Sequence, residues 1–390
     1  MANAPHDAFL SAEFRDELTG LRKSLHQHAE TANAEHATAD ILHAFLLSKR
    51  PDRIVTGIGG TGLAAVYRGE QTGSKILLRA ELDALPIAES AGLSYRSLRT
   101  GVSHKCGHDG HMAVLAGIAG LLHRRPLQKG RVILLFQPAE ETGEGARKVL
   151  ADAAFGELSP DFVFALHNLP GKTFGKVYLK AGTMTCASVG MVIHLEGRSA
   201  HASHPEQGIN PAGAMCDLVQ RLPALVNRRD PEDVFSLVTV IHARLGEAAF
   251  GTAPGAAKIL ATLRSESDDA LRWLKKTAVE MVTARAESDG LTAHMAWRDD
   301  FAAGVNHVEA VQRVARAASD AGQPVEWLTQ PFRWSEDFGQ FTARFPGALF
   351  VLGAGEAVSP LHSPDYDFPD DLIEPGVKIF WQLIHELLNP

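Results

Sequence analysis

Two stretches of this chain, RVILLFQ (131–137) and DFVFAL (161–166), run almost without a polar residue. A strand of that kind has no face to give to water, so it needs cover on both sides, which a mostly parallel sheet flanked by helices supplies. Each ends abruptly: Pro138 stops the first and His167 follows the second. A third β-rich run, SKILLRAEL, ends at Asp83 and Pro86. Residues 109–124 and EGARKVLADAAF read as helical, so strands alternate with helices and the expectation is an α/β layer architecture. Ahead of them, Phe14, Leu18, Leu21 and Leu25, then Ile41, Leu42, Phe45 and Leu46, mark two helices. The polar stretch HQHAETANAEH lies between them, and the short runs RIVTGIG and GLAAVYRG follow as strands.

The texture changes near residue 187. From there the order is strand (ASVGMVIHLE), helix (NPAGAMCDLVQRLPALVNR), strands FSLVTVIHARL and AAKILATLRSES, a long helix (DDALRWLKKTAVEMVTARAES) and strand LTAHMAWRD. That β-α-β-β-α-β sequence is the ferredoxin-like layout, complete in itself. The α/β pattern resumes from Asn306 and closes with GALFVLGAG and GVKIFWQLIHELL. At about 150 residues per domain, 390 residues divide naturally. The expectation is an α/β, two-domain protein: a mixed-sheet domain in two parts, 1–186 and 299–390, interrupted by a ferredoxin-like α+β domain over 187–298.

Charge and composition narrow the partners. The net charge of −8, with 38 basic and 46 acidic residues and no basic run, leaves no footprint for a phosphate backbone, so nucleic acid is not expected. The longest apolar stretch, Met112 to Leu122, falls far short of the roughly 20 residues that span a bilayer, so no membrane association is expected. The first residues, MANAPHDAFLSAEFRDEL, have charges spread through them and no apolar core, unlike a leader. Three cysteines, Cys106, Cys186 and Cys216, make no closed disulfide framework and fit a reducing, cytoplasmic setting.

Histidine is the compositional excess, with 18 residues, several beside Cys, Asp or Glu. The densest cluster, HKCGHDGH (104–111), sits between a strand and a helix. Cys106 and His108 stand two apart and can reach one centre, thiolate and imidazole both being ligands for Zn²⁺ or a similar first-row ion. Glu140 and Glu141 follow a buried strand and the turn Pro138–Ala139. Adjacent carboxylates there point in different directions, so one can ligate a cation while its neighbour serves as general base. His167 closes another strand, and His362 lies in the Pro-rich loop SPLHSPDYDF. Glu81 and Asp83 are suited to hold a ligating imidazole by its second ring nitrogen, and Asp109 joins them as a supporting carboxylate. His201, in GRSAHASHPEQG, is flanked by small residues that leave room for close approach to a ligand.

Taken together, LRAELDALP, HKCGHDGHMA, FQPAEETGEGA, ALHNLPG, GRSAHASHPEQGINP, RWSEDFGQF and LHSPDYDF resemble, in order and rough spacing, the M20 metallopeptidase family, subfamily D, which holds aminoacylases, hippurate hydrolases and auxin-conjugate hydrolases. The resemblance spans nearly the whole chain. It implies that Cys106, His108, Glu141, His167 and His362 bind two divalent metal ions, with Cys106 bridging. Zn²⁺ or Mn²⁺ is the expected metal, with Co²⁺ or Ni²⁺ as alternatives. It makes Glu140 the general base and gives His201 a share in stabilising the tetrahedral intermediate, with the partner subunit as one source of that imidazole. The inserted domain becomes a lid and dimerisation domain, and the protein a homodimer. The implied activity is hydrolysis of the amide bond of an N-acyl amino acid or related conjugate bearing a free α-carboxylate. One thiolate, one carboxylate and three neutral imidazoles carry −2 against +4 from two divalent ions, an excess of about +2 that welcomes hydroxide and a substrate anion.

The chain departs from that family at two places. Ala29 stands where Pro is usual in LHQHAE, and Phe250, Gly251, Thr252, Ala253, Pro254 stand where Asn-Val-Ile-Pro is common, so an Asn side chain that could touch substrate is missing around Gly251. Arg264, in ATLRS, matches the lid arginine and is a further candidate for substrate contact. Three other readings compete: a metal-dependent dipeptidase, a non-catalytic metal-binding relative, and a cysteine hydrolase using Cys106 with His108 or His111 as base. The last leaves Glu140, Glu141, His167 and His362 idle.

Overall fold

The computed structural model describes residues 9–90, 92–228 and 234–388; the start of the stretch read for a leader, residues 1–8, lies outside them. Helices α1 (Ala12–Gln27) and α2 (His36–Ser48) precede strands β1 (Arg53–Ile58), β2 (Gly62–Arg68) and β3 (Gln71–Glu81), helix α3 (His108–Arg124) and strand β4 (Lys129–Gln137). Short helices α4 (Gly145–Ala151) and α5 (Ala153–Leu158) lead to β5 (Phe162–Pro170), β6 (Val177–Leu179) and β7 (Gly182–Thr185). Then come β8 (Ala187–Glu196), β9 (Ala200–His201), α6 (Ala212–Arg221), β10 (Ser236–Leu245), β11 (Thr252–Ala253), β12 (Ala256–Ser265), α7 (Asp268–Ser288) and β13 (Thr292–Phe301). The chain ends with β14 (Gly304–Asn306), α8 (Val308–Asp320), β15 (Val325–Trp327), α9 (Gly339–Thr342), β16 (Gly347–Gly355) and α10 (Ile373–Leu388).

Two compact units result. The first comprises Met1–Met184, Val305–Gln330 and Asp337–Pro390. Its mixed sheet has the order β1-β2-β4-β3-β5-β16-β6-β15, and its four central strands, β4, β3, β5 and β16, run parallel. Their near-continuous burial follows from helices that cover them. Helix α3 is buried from His108 to Leu122, as a helix apolar all round must be, and packs against α1 and α10. Helix α1 starts where Ser11 Oγ accepts from the Phe14 amide at 3.3 Å. It buries Phe14, Leu18, Leu21 and Leu25, the stripe seen in the sequence.

The second unit comprises Thr185–Gly304 and Pro331–Glu336. Its sheet, β10-β12-β8-β13, is antiparallel throughout. In β8, Val189, Met191, Ile193 and Leu195 are buried while His194 and Glu196 are exposed, the period-2 alternation of a sheet covered on one face. Helices α6 and α7 pack against these strands. Helix α6 stops at Arg221, short of the sequence reading, and Pro223–Arg228 continues as a 3-10 turn, because Pro223 lacks the amide an α-helix needs. The unit also takes in 331–336, beyond the 187–298 span expected and inside the stretch assigned to the other domain. The Cys186 amide donates to Trp334 O at 3.0 Å. Arg264 Nη1 donates to Arg333 O and Ser335 Oγ at 2.7 and 2.6 Å.

Candidate metal centre

In open α/β sheets, chemistry gathers outside the carboxyl ends of parallel strands. Here β3 delivers Glu81 and Asp83, β4 delivers Glu140 and Glu141 after Pro138, and β5 delivers His167 and Asn168. Helix α3 begins at the same end with His108 as its first residue. Gly107 precedes it with φ +95°, a conformation side chains rarely adopt. A Cβ there would sit 2.4 Å from Asn168 Oδ1 and 2.7 Å from Tyr366 OH, so both backbone and space demand glycine between Cys106 and His108.

The sequence candidates on this unit converge. Ligand atoms of Cys106, His108 and His167 all lie within 4.8 Å of one another, as do those of Cys106, Glu141 and His362, and those of His108, Glu140 and Glu141. Cys106 belongs to the first two groups. His167 turns Nε2 toward Cys106 Sγ, 3.5 Å away.

Two of the imidazoles are oriented by main-chain carbonyls. His108 Nδ1 donates to Asp83 O at 2.8 Å, and His167 Nδ1 donates to Asn168 O at 2.7 Å. With the proton fixed on Nδ1, each neutral ring presents the lone pair of Nε2, the tautomer a metal requires. His108 Nε2 is buried and makes no hydrogen bond among the described residues, a costly arrangement unless something else fills the place. Burial pushes His108 well below its ordinary value and lowers His362 too, keeping both uncharged. His362 has a positive φ of 63°, a strained backbone of the kind found at functional positions, and its amide is held by Lys105 O at 2.7 Å. A borderline-soft donor set of one thiolate, carboxylate and neutral imidazoles, with an orphaned buried nitrogen, fits divalent first-row cations.

The turn that carries the paired glutamates is pinned from outside. Asp83 is wholly buried, and its two carboxyl oxygens accept the Glu140 and Glu141 amides at 3.0 and 2.9 Å. Burial, reinforced by the Glu35 charge, pushes the Asp83 carboxyl up to about 8 against those two donors. Glu35 accepts the Ala139 amide at 2.8 Å, steadying a residue whose φ is +53°. Glu140 Oε1 accepts from the Asp337 amide at 3.4 Å. The Asp337 carboxylate in turn accepts from Arg79 at 2.7 Å, Gln137 at 2.9 Å and the Ala146 amide at 2.8 Å.

The supporting carboxylates differ from the expectation. Their carboxylates bond other groups. Glu81 pairs with Arg79 and bonds His111 Nδ1 at 2.7 Å; the carbonyl of Asp83, not its side chain, bonds His108; and Asp109 bonds His26 and Arg22. Main-chain carbonyls take the role expected of side chains because the strand ends already present them. His111, whose Nε2 is 2.7 Å from Asn168 Oδ1, is occupied at both nitrogens. Glu35, Arg79, Asn168 and Asp337 are not among the sequence candidates, although each stands in a segment the sequence marks: Glu35 in the polar stretch between the first helices, Arg79 in LRAELDALP, Asn168 in ALHNLPG and Asp337 in RWSEDFGQF.

On the second unit, β9 pairs with β11, Thr252 opposite His201, and the Ala202 amide donates to Gly251 O at 3.0 Å. His201 and the Gly251 loop are therefore neighbours. His201 is exposed, and its Nδ1 accepts the Ser203 amide at 3.1 Å, which leaves the proton of the neutral ring on Nε2. Gly251 has open space where a side chain would stand. Phe250 beside it is fully exposed. Arg264 is committed through Nη1 to the 333–335 segment, and burial lowers it from its ordinary value.

Known proteins resemble this chain over nearly its whole length. An N-acetyl-L-cysteine deacetylase of Bacillus subtilis is 30% identical over 378 residues, 96% of this chain and 88% of that protein. A hippurate hydrolase of Campylobacter jejuni is 29% identical, covering 97% and 98%. An IAA-amino acid hydrolase of Arabidopsis thaliana is 30% identical, covering 95% and 84%. Among solved structures, a dinuclear metal-binding peptidase of the M20 family from Bacillus subtilis matches with a TM-score of 0.79 at 25% identity, covering 96% of this chain and 98% of that one. Residues 77–386 match the model of peptidase family M20/M25/M40, and the chain belongs to this family.

Proposed function

We propose that this chain is a metal-dependent amidohydrolase that cleaves the amide bond of a small N-acyl amino acid or related conjugate, with Glu140 as general base. The observation that carries this reading is the sharing of Cys106 between two ligand groups, with the Glu140 carboxylate beside Glu141 and His108. Cys106, His108, Glu141, His167 and His362 would hold two divalent cations, Zn²⁺ or Mn²⁺ in the first instance and Co²⁺ or Ni²⁺ as alternatives. When bound, such ions lower the pKa of water toward about 7 and polarise a carbonyl oxygen. Glu140, positioned by the Asp83 and Asp337 contacts, takes the proton of the attacking water and returns it to the leaving nitrogen. His201, whose Nε2 carries the proton of the neutral ring, would help to stabilise the developing oxyanion, with the partner subunit as one source of that imidazole. Since Arg264 is engaged within its own unit, the surroundings of Gly251 are the better source of substrate contact there. A reducing cytoplasmic setting suits a centre that needs Cys106 as a thiolate.

The test is amine release from a panel of N-acetyl, N-benzoyl and indole-acetyl amino acids and a few dipeptides, with Mn²⁺ or Zn²⁺ and with chelator. Metal-dependent cleavage of an N-acyl member is expected. Cleavage of dipeptides alone would replace the assignment by a dipeptidase, and silence across the panel in a metal-loaded protein would overturn it.

The second unit supports a homodimer. Strand β10 lies at the edge of its sheet, with Leu237 and Ile241 exposed by 40% and 61%, and two such edges can pair about a twofold axis. Light scattering at micromolar concentration should give twice the 42.0 kDa chain mass; a monomer would refute the pairing.

A further inference from the structure

Behind the metal centre lies a group of buried charges that the reaction proposed above does not use. Arg22 and His26, one turn apart on α1, are both wholly buried. His26 Nδ1 is 2.8 Å from Asp109 Oδ2, and its Nε2 is 2.8 Å from Glu89 Oε1. A carboxylate oxygen can only accept, so both ring nitrogens donate and the ring is an imidazolium. Burial alone would push His26 down, yet its hydrogen bonds and the two carboxylate charges raise it to about 9. Glu89 is held down at about 2, its burial overridden by donors from His26, Lys105 and the Ser97 amide.

The two carboxylates attach to the ends of one short segment. Asp109 directly follows His108, and it also receives Arg22 at 3.4 Å, which reaches Asp367 and Asp370 at 2.8 Å each. Glu89 receives Lys105 Nζ at 2.6 Å, and Lys105 directly precedes Cys106. Lys105 Nζ also donates to Tyr366 O at 2.8 Å, and Lys105 O holds the His362 amide. The remaining groups facing His26 are the Tyr95 ring, edge-on at 5.7 Å, and His104 at 6.2 Å. Lys23 faces Asp370.

We infer that His26 is a positioning residue of the metal centre, a doubly donating ring that clamps both ends of the 105–109 segment, through Asp109 on one side and Glu89–Lys105 on the other, and so sets the places of Cys106 and His108. The inference rests on the proposed metal site. Removing a group that orients ligands from behind typically costs 10–100-fold in metal affinity.

Two measurements test it. Ring ¹⁵N spectra of the full-length protein should show both His26 nitrogens protonated at pH 8, where an ordinary histidine is neutral; a neutral ring would overturn the inference with no variant needed. His26→Gln retains one donor and no charge, and should weaken Co²⁺ binding 10–100-fold, read from the thiolate-to-cobalt absorption band. Its melting temperature should fall below that of the wild type by more at pH 6 than at pH 10. A histidine with a raised folded pKa stabilises fully below its unfolded value of 6.5 and loses that contribution as the pH rises through about 9. Absence of the cobalt band in the wild type would remove the metal reading itself. A normal band with equal affinity in both proteins would remove only the role of His26.

Discussion

Glu140→Gln is expected to lower turnover by about 10²–10⁴-fold, the usual contribution of a positioned acid–base group, while metal content stays at the wild-type level. The substitution keeps the size of the side chain and an oxygen that can still accept from the Asp337 amide, so the turn pinned by Asp83 and Glu35 should persist. What is lost is the ability to take a proton from water and hand it to nitrogen. Metal analysis beside steady-state kinetics separates the two effects. Turnover within tenfold of the wild type, at equal metal occupancy, would remove Glu140 from the reaction.

Stripping metal with a chelator should abolish activity, and restoring Zn²⁺ or Mn²⁺ should bring it back. The same cycle should be visible in stability, because a ligand bound only by the folded state contributes RT ln(1 + [L]/Kd), about 4 kcal/mol at a thousandfold excess over Kd. The His108 nitrogen that lacks a hydrogen bond and the gathered thiolate and carboxylate are the groups relieved by binding. Iodoacetamide sharpens the result: Cys106 should be protected in the loaded enzyme and alkylated in the stripped one. Activity that survives chelation and disappears on alkylation would point to Cys106 as a nucleophile instead.

The parts legible in sequence were those with local signatures. Unbroken apolar runs announced the central strands, a period-2 pattern announced the second unit, and Cys106, His108, Glu140, Glu141 and His167 stood at strand or helix ends where a proline, glycine or charge marked the break. What holds them in place was not legible. A main-chain carbonyl such as Asp83 O or Asn168 O has no residue-type signature, so the sequence points to the Glu81 and Asp83 carboxylates for holding an imidazole, a task that carbonyls perform at His108 and His167. Glu35 and Asp337 reach the glutamate turn from 104 and 197 residues away, a juxtaposition created only by sheet topology. The partners of Asp109, Arg22 and His26, lie on α1, whose spacing signals a hydrophobic stripe. The segment 331–336 joins the second unit through backbone hydrogen bonds and one arginine, which no composition shift records.

Asp83 has a consequence for motion. Its side chain holds two successive amides, those of Glu140 and Glu141, while its own carbonyl holds the His108 ring. Thermal displacement of that junction carries all three together, so their mutual distances fluctuate less than their positions in the unit as a whole. Reactivity depends on relative placement at the scale of an ångström. A single buried aspartate therefore lets the centre drift as a body without losing its internal alignment.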